Sequence, residues 1–136
     1  MFNILAIESS KIYMDILERC FTVEEGYDLK IVNMSGKAKS ELNNKRYDVL
    51  ISEIKAEDGE CEIFLRKVRE SNEKIYIVLF TSELSLKREA RMYEHGVDGH
   101  IDKPVAIEVL KAYISRIRER ITLERGISWV SLYCFC

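Results

Sequence analysis

The chain has 136 residues, 47% apolar and 32% charged, with a single proline, a profile that fits one packed domain and excludes a disordered or fibrous polymer. Its 21 basic and 23 acidic side chains leave a formal charge of -2, so no global field draws it to nucleic acid or to an anionic bilayer. The opening Met1-Phe2-Asn3-Ile4-Leu5 has no basic leader, and no apolar run reaches the length of a membrane span. A cytoplasmic protein with no membrane partner is therefore expected.

Short continuous apolar runs alternate with amphipathic ones. Residues 2–7 read as a first strand. A helix over residues 11–23 follows, with Ile12, Ile16, Leu17 and Cys20 on one face and Gly26 as its stop. Residues 29–32 give a second strand, and residues 37–45 a polar helix anchored only by Ala38 and Leu42. Residues 49–51 are a third strand, followed by a helix over residues 61–71 that turns Phe64, Leu65 and Val68 inward. The run 75–80 is a fourth strand. The helix over residues 85–95 ends at Gly96, suited to a left-handed turn. Residues 99–101 make a short fifth strand. The last helix spans residues 105–125, opens on Pro104 and carries the stripe Ile107, Leu110, Ile114, Ile117, Ile121. Continuous apolar strands are buried on both faces, and strict alternation requires right-handed crossovers. The pattern predicts an α/β fold, a five-stranded parallel sheet with helices on both faces, doubly wound. Residues 1–125 form that domain, and residues 126–136 are an uncharged, aromatic-rich tail of unassigned role.

In such a sheet, chemistry sits at the carboxyl ends of the strands. Those ends read Glu8-Ser9-Ser10, Ser52-Glu53, Thr81-Ser82 and Asp102-Lys103-Pro104, so carboxylates, hydroxyls and one ammonium converge on one edge. No nucleophile elbow, dinucleotide turn or P-loop occurs, which argues against an enzyme. Cys20, Cys61, Cys134 and Cys136 read as reduced thiols, and neither His95 nor His100 stands at zinc-site spacing from the last two.

Tyr47-Asp48-Val49-Leu50-Ile51-Ser52-Glu53, Phe80-Thr81-Ser82 and His95-Gly96-Val97-Asp98-Gly99-His100-Ile101-Asp102-Lys103-Pro104, in this order and spacing, resemble the receiver domain of two-component response regulators. The resemblance covers residues 2–122 and implies the CheY-like, flavodoxin-like (βα)5 fold. It also implies a cytoplasmic signalling module whose partners are a histidine kinase, an output domain or another regulator, met through the face of helix four, strand five and helix five. It places Glu53 at the phosphoacceptor position, with Glu8, Ser9, Thr81 and Lys103 at the other pocket positions.

Three departures matter. The family's acidic pair after strand one is here Glu8 followed by Ser9, and the acceptor aspartate is Glu53. The loop from Glu53 to Gly59 also lacks its usual proline. A glutamate carboxylate projects about 1 Å farther than an aspartate, a misplacement that costs ~100-fold in a reaction governed by positioning. A degenerate pseudo-receiver without phosphotransfer is expected. No cofactor is expected either, since magnesium would find only Glu8 and Glu53 as carboxylate ligands. Three readings of the pocket stay open: a Glu53–Lys103 pair with Thr81 bonded nearby that imitates the phosphorylated arrangement, a relic ion-pair cluster, or an atypical phosphoacceptor. His100, three residues before Lys103, is either a switch at the family's aromatic position or a half-exposed edge-strand side chain. Arg116, Arg118 and Arg120 alternate with Glu119 and Glu124 as a solvated face, so no nucleic acid is expected. The distal part of helix five and the tail suit a homodimer. An isolated receiver part of a longer regulator is the further alternative.

Overall fold

The computed structural model describes residues 1–55, 59–72, 74–82 and 84–134, with side chains through residue 124. The chain divides into a unit Met1–Val105 and a unit Ala106–Cys136. The first unit holds β1 (Phe2–Ile7), α1 (Lys11–Cys20), β2 (Tyr27–Val32), α2 (Ser35–Asn44), β3 (Val49–Ser52), α3 (Gly59–Ser71), β4 (Tyr76–Thr81), α4 (Leu86–Glu94) and β5 (Gly99–Asp102). The second is α5 (Ile107–Cys134). All strand pairs are parallel in one sheet ordered β2-β1-β3-β4-β5. The fold is thus the five-stranded parallel α/β sheet expected, and the strand order reverses between β1 and β3.

Register sorts the core into two layers. Ile4, Ala6, Val49, Ile51, Val78, Phe80 and Ile101 align across the strands and share one face, where Tyr13 of α1 meets Phe80 edge-on with ring centroids 5.4 Å apart. On the opposite face Leu5, Ile7, Leu50, Ile77 and Leu79 form one cluster with Ala38 of α2, Cys61, Leu65 and Val68 of α3, and Met92 of α4. The inner strands β1, β3 and β4 are buried on both faces, which is why they carry no polar alternation. Leu42 and Phe64 are only partly buried against this cluster. Cys20 and Cys61 are buried free thiols, and Cys136 lies outside the described residues.

Several boundaries differ from expectation for local reasons. Ile12 is 71% exposed, because it lies about 100° round the helix from Tyr13, off the stripe Tyr13–Leu17–Cys20. Gly26, at φ 87°, closes a single 3-10 turn over Val23–Glu25 instead of α1, which stops at Phe21. Pro104 does not open α5. It follows Lys103 through a cis peptide bond, and the Ala106 carbonyl, accepting from Val109 and Leu110 N–H at 3.1 Å, starts the helix. Within α5, Leu110, Ile114 and Ile117 are buried. Its backbone stays helical past Gly126 to Cys134; one helical glycine costs only about 1 kcal/mol. Side chains of the tail, and with them the expected pairing of its apolar residues, lie outside the described residues. Among the described residues, no helix is long and apolar enough to cross a membrane.

Candidate functional site

The pleat places the pocket. Glu8 N–H donates to the Val32 carbonyl, Glu53 N–H to the Ile7 carbonyl and Lys103 N–H to the Thr81 carbonyl at 2.9–3.0 Å, so the ladder continues one residue past each of β1, β3 and β5. Side chains alternate. Glu8 follows Ala6 by two, Glu53 follows Ile51 and Lys103 follows Ile101, so all three emerge on the face covered by α1. Since Ile7 pairs with Ser52, Glu8 and Glu53 are lateral neighbours. Thr81, in step with Ile77 and Leu79, emerges on the other face, and its hydroxyl donates to the Ile54 carbonyl at 2.8 Å.

Lys103 does not pair with Glu53. Its Nζ donates to Glu8 Oε1 at 2.7 Å, with the lysine side chain 8% and the glutamate 1% exposed. The ammonium also stands 4.2 Å from the centre of the Tyr13 ring and 4.9 Å from that of Phe80, contacts in which ring quadrupoles add attraction. The other Glu8 oxygen accepts from the Ser9 and Ser10 N–H groups at 3.1 Å. Two carboxyls side by side each oppose ionisation of the other. Burial pushes the Glu8 carboxyl above its usual range and the hydrogen bond with Glu53 adds to this, against the pull of Lys103. Burial acts in the same direction on Glu53, but hydrogen bonds from Glu8 and Ser9, with the Lys103 charge, outweigh it and bring Glu53 below its usual range. Of the three readings, the direct Glu53–Lys103 pair gives way to a chain Glu53–Glu8–Lys103.

Residues 4–115 match the response regulator receiver domain family. The chain belongs to that family. Among its relatives, this receiver is 24% identical over 114 residues to the DNA-binding transcriptional regulator NtrC of Proteus hauseri, covering 84% of this chain and 24% of that protein. It is also 24% identical over 101 residues to the sensor histidine kinase RcsC of Salmonella typhimurium, covering 74% of this chain and 11% of the other. The receiver thus spans a quarter or less of these two curated relatives. Among solved structures, the CheY-like receiver domain protein of Methanospirillum hungatei JF-1 superposes with a TM-score of 0.77 at 21% identity, covering 90% of this chain and 98% of the other. The chemotaxis protein CheY4 of Vibrio cholerae gives 0.76 at 22%, covering 86% and 98%.

The receiver's donor set does not fit a magnesium ion. Both Glu8 oxygens are committed to Lys103 and two N–H groups, Glu53 shares hydrogen bonding with Glu8, and Ser9 brings no charge, whereas magnesium demands near-ideal octahedral oxygens. His100 lies outside the pocket. On edge strand β5 its side chain is 26% exposed, with Nδ1 2.9 Å from the Tyr93 hydroxyl and 3.3 Å from Glu89 of α4, and Nε2 3.8 Å from Asp102. Tyr13 was not legible as a pocket residue, although a tyrosine three residues after the Ser10 N-cap falls on the inner stripe of α1.

Proposed function

We propose that this receiver is a pseudo-receiver: a signalling module that regulates through protein contacts and independently of phosphorylation. One observation carries the reading. The lysine that would meet an incoming phosphoryl group is bonded to Glu8 and held under the Tyr13 and Phe80 rings, next to a glutamate at the acceptor position. In-line phosphoryl transfer depends on free cations and an acceptor placed in line, and both requirements are compromised here. Incubating the protein with a small-molecule phosphodonor and magnesium, followed by intact mass measurement, should add no phosphoryl group. A stoichiometric adduct at Glu53 would favour the atypical phosphoacceptor instead.

Magnesium itself should bind no tighter than the millimolar range by calorimetry, the regime of sites with few charged ligands. The Ser9→Asp/Glu53→Asp double variant should bind it more tightly by restoring a carboxylate and shortening another. A micromolar wild-type site would count against the pseudo-receiver.

The surface offered to a partner includes α4 and β5, where Leu86 and Tyr93 are 86% and 41% exposed beside Glu89 and His100. Partners of the histidine-kinase or output-domain class fit this role, because the curated relatives are a transcriptional regulator and a sensor kinase. Their greater length also favours a module that works as the receiver part of a longer regulator.

A further inference from the structure

Directly after Glu53, two successive backbone carbonyls are held by side chains from elsewhere in the sheet unit. The Thr81 hydroxyl donates to the Ile54 carbonyl at 2.8 Å. The Arg88 guanidinium, in the second half-turn of α4, donates through Nη1 to the Lys55 carbonyl at 2.6 Å. The same guanidinium gives its Nε to Glu62 of α3 at 2.8 Å, where Arg91 also approaches at 3.6 Å. Arg88 is only 7% exposed, unusual for a guanidinium, whose burial is costly unless its donors are satisfied in fixed geometry. Its position along the helix is set as well, because its N–H caps onto the Ser85 hydroxyl at 3.2 Å.

We infer that Arg88 is a positioning residue that couples the Glu53 pocket to α4, by joining the loop that leaves β3 to the first turns of that helix. Loop carbonyls are ordinarily satisfied by solvent and leave a loop free to move alone. Here a planar fork spans the loop, α3 and α4 at once, so a shift of the chain at Glu53 must displace Arg88 or break a charge-assisted bond. The bond to Glu62 by itself would only dock α4 on α3. The bond to Lys55 is what reaches the pocket. This coupling holds whether or not Glu53 accepts a phosphoryl group, so it stands apart from the pseudo-receiver reading.

Amide spectra of the isotope-labelled chain test it, with Glu53→Gln as the perturbation of the pocket. In the otherwise native chain this substitution should shift amides of α4 as well as those of Glu8 and Ser9. In an Arg88→Met background the Glu8 and Ser9 shifts should persist, while those of α4 fall to less than about half. A Glu62→Gln background should retain the α4 shifts, because it weakens the contact with α3 from charge-assisted to neutral and leaves the one with Lys55 intact. Should Arg88→Met fail to fold, Arg88→Lys keeps a cation for Glu62 but lacks the fork, and the same loss is expected. Equal α4 shifts with and without the guanidinium would overturn the inference, as would their loss in Glu62→Gln.

Discussion

Replacing Lys103 by methionine should cost about 3–5 kcal/mol of unfolding free energy near neutral pH, the usual result of breaking a buried ion pair from one side. Methionine keeps the length of the side chain and a polarizable contact for the Tyr13 and Phe80 rings, so the loss reports on charge more than on packing. What remains is the Glu8 carboxylate, 1% exposed, with two N–H donors and no cation. The pH dependence separates this cause from a simple cavity. Burial, reinforced by the bond to Glu53, already holds the Glu8 carboxyl above the ordinary 4.5, and Lys103 is one of the groups restraining that rise. Removing Lys103 lets it rise further.

A folded-state value above the unfolded one means that the native protein binds more protons between the two. The associated stability is fully present below the unfolded value and is lost as pH rises through the folded value. The deficit of Lys103→Met should therefore be largest at neutral pH and shrink as pH falls toward 4.5, the ordinary carboxyl value. Glu53 works in the opposite sense. Its depressed carboxyl contributes stability above 4.5 that is lost as pH falls through its folded value, so the comparison is best kept above that point. Chemical denaturation of both proteins near pH 7 and about pH 5 decides the matter. An equal loss at the two values would mean that packing, and not the stranded Glu8 charge, accounts for it.

The sheet was legible because its strands are continuous apolar runs, a pattern with few alternative homes. Helix ends were less so. At the end of α1, Gly26 looked like the stop, yet the apolar stripe had already run out at Cys20 and a 3-10 turn absorbed the remainder. In the pocket, the strand-end rule brought Glu8, Ser9, Glu53 and Lys103 together without any structure. Which carboxylate takes the ammonium depends on register and on the packing of the Tyr13 and Phe80 rings around Lys103, neither of which is written in a one-dimensional motif. Thr81 illustrates the same limit: an odd number of residues from Phe80, it faces the other layer and bonds the loop backbone. Had strand register been assigned, pleat parity alone would have separated Thr81 from Glu53. The Arg88 contacts join α4 to residues more than twenty positions earlier, and no local pattern announces a buried arginine.

Gly96→Ala is expected to cost about 3 kcal/mol, combining the ~1–2 kcal/mol of a left-handed residue that gains a Cβ with the loss of a charge-assisted hydrogen bond worth ~1.5–3 kcal/mol. Gly96 sits at φ 98° in the turn between α4 and β5, and its N–H closes that turn on the Tyr93 carbonyl at 3.0 Å. An added Cβ would fall 2.4 Å from Arg69 Cγ. That methylene cannot swing aside cheaply, because the guanidinium beyond it is fixed by donation to the Gly96 carbonyl at 2.9 Å, to the Asn72 carbonyl at 3.2 Å and to Asp98. Asp98 is itself engaged, accepting from the Ile77 N–H at 2.8 Å, so displacement of Arg69 would strip a cation from a carboxylate that anchors β4. A second variant apportions the two contributions. Arg69→Ala removes Cγ and Nε and leaves only its own Cβ, 3.0 Å from the added methyl, so combined with Gly96→Ala it should cost less than the sum of the two single substitutions, since most of the clash is then gone. Denaturation midpoints of the four proteins provide the cycle. Additive losses would mean that backbone strain at position 96 acts alone, and that Arg69 does not brace the corner where α4 turns into β5.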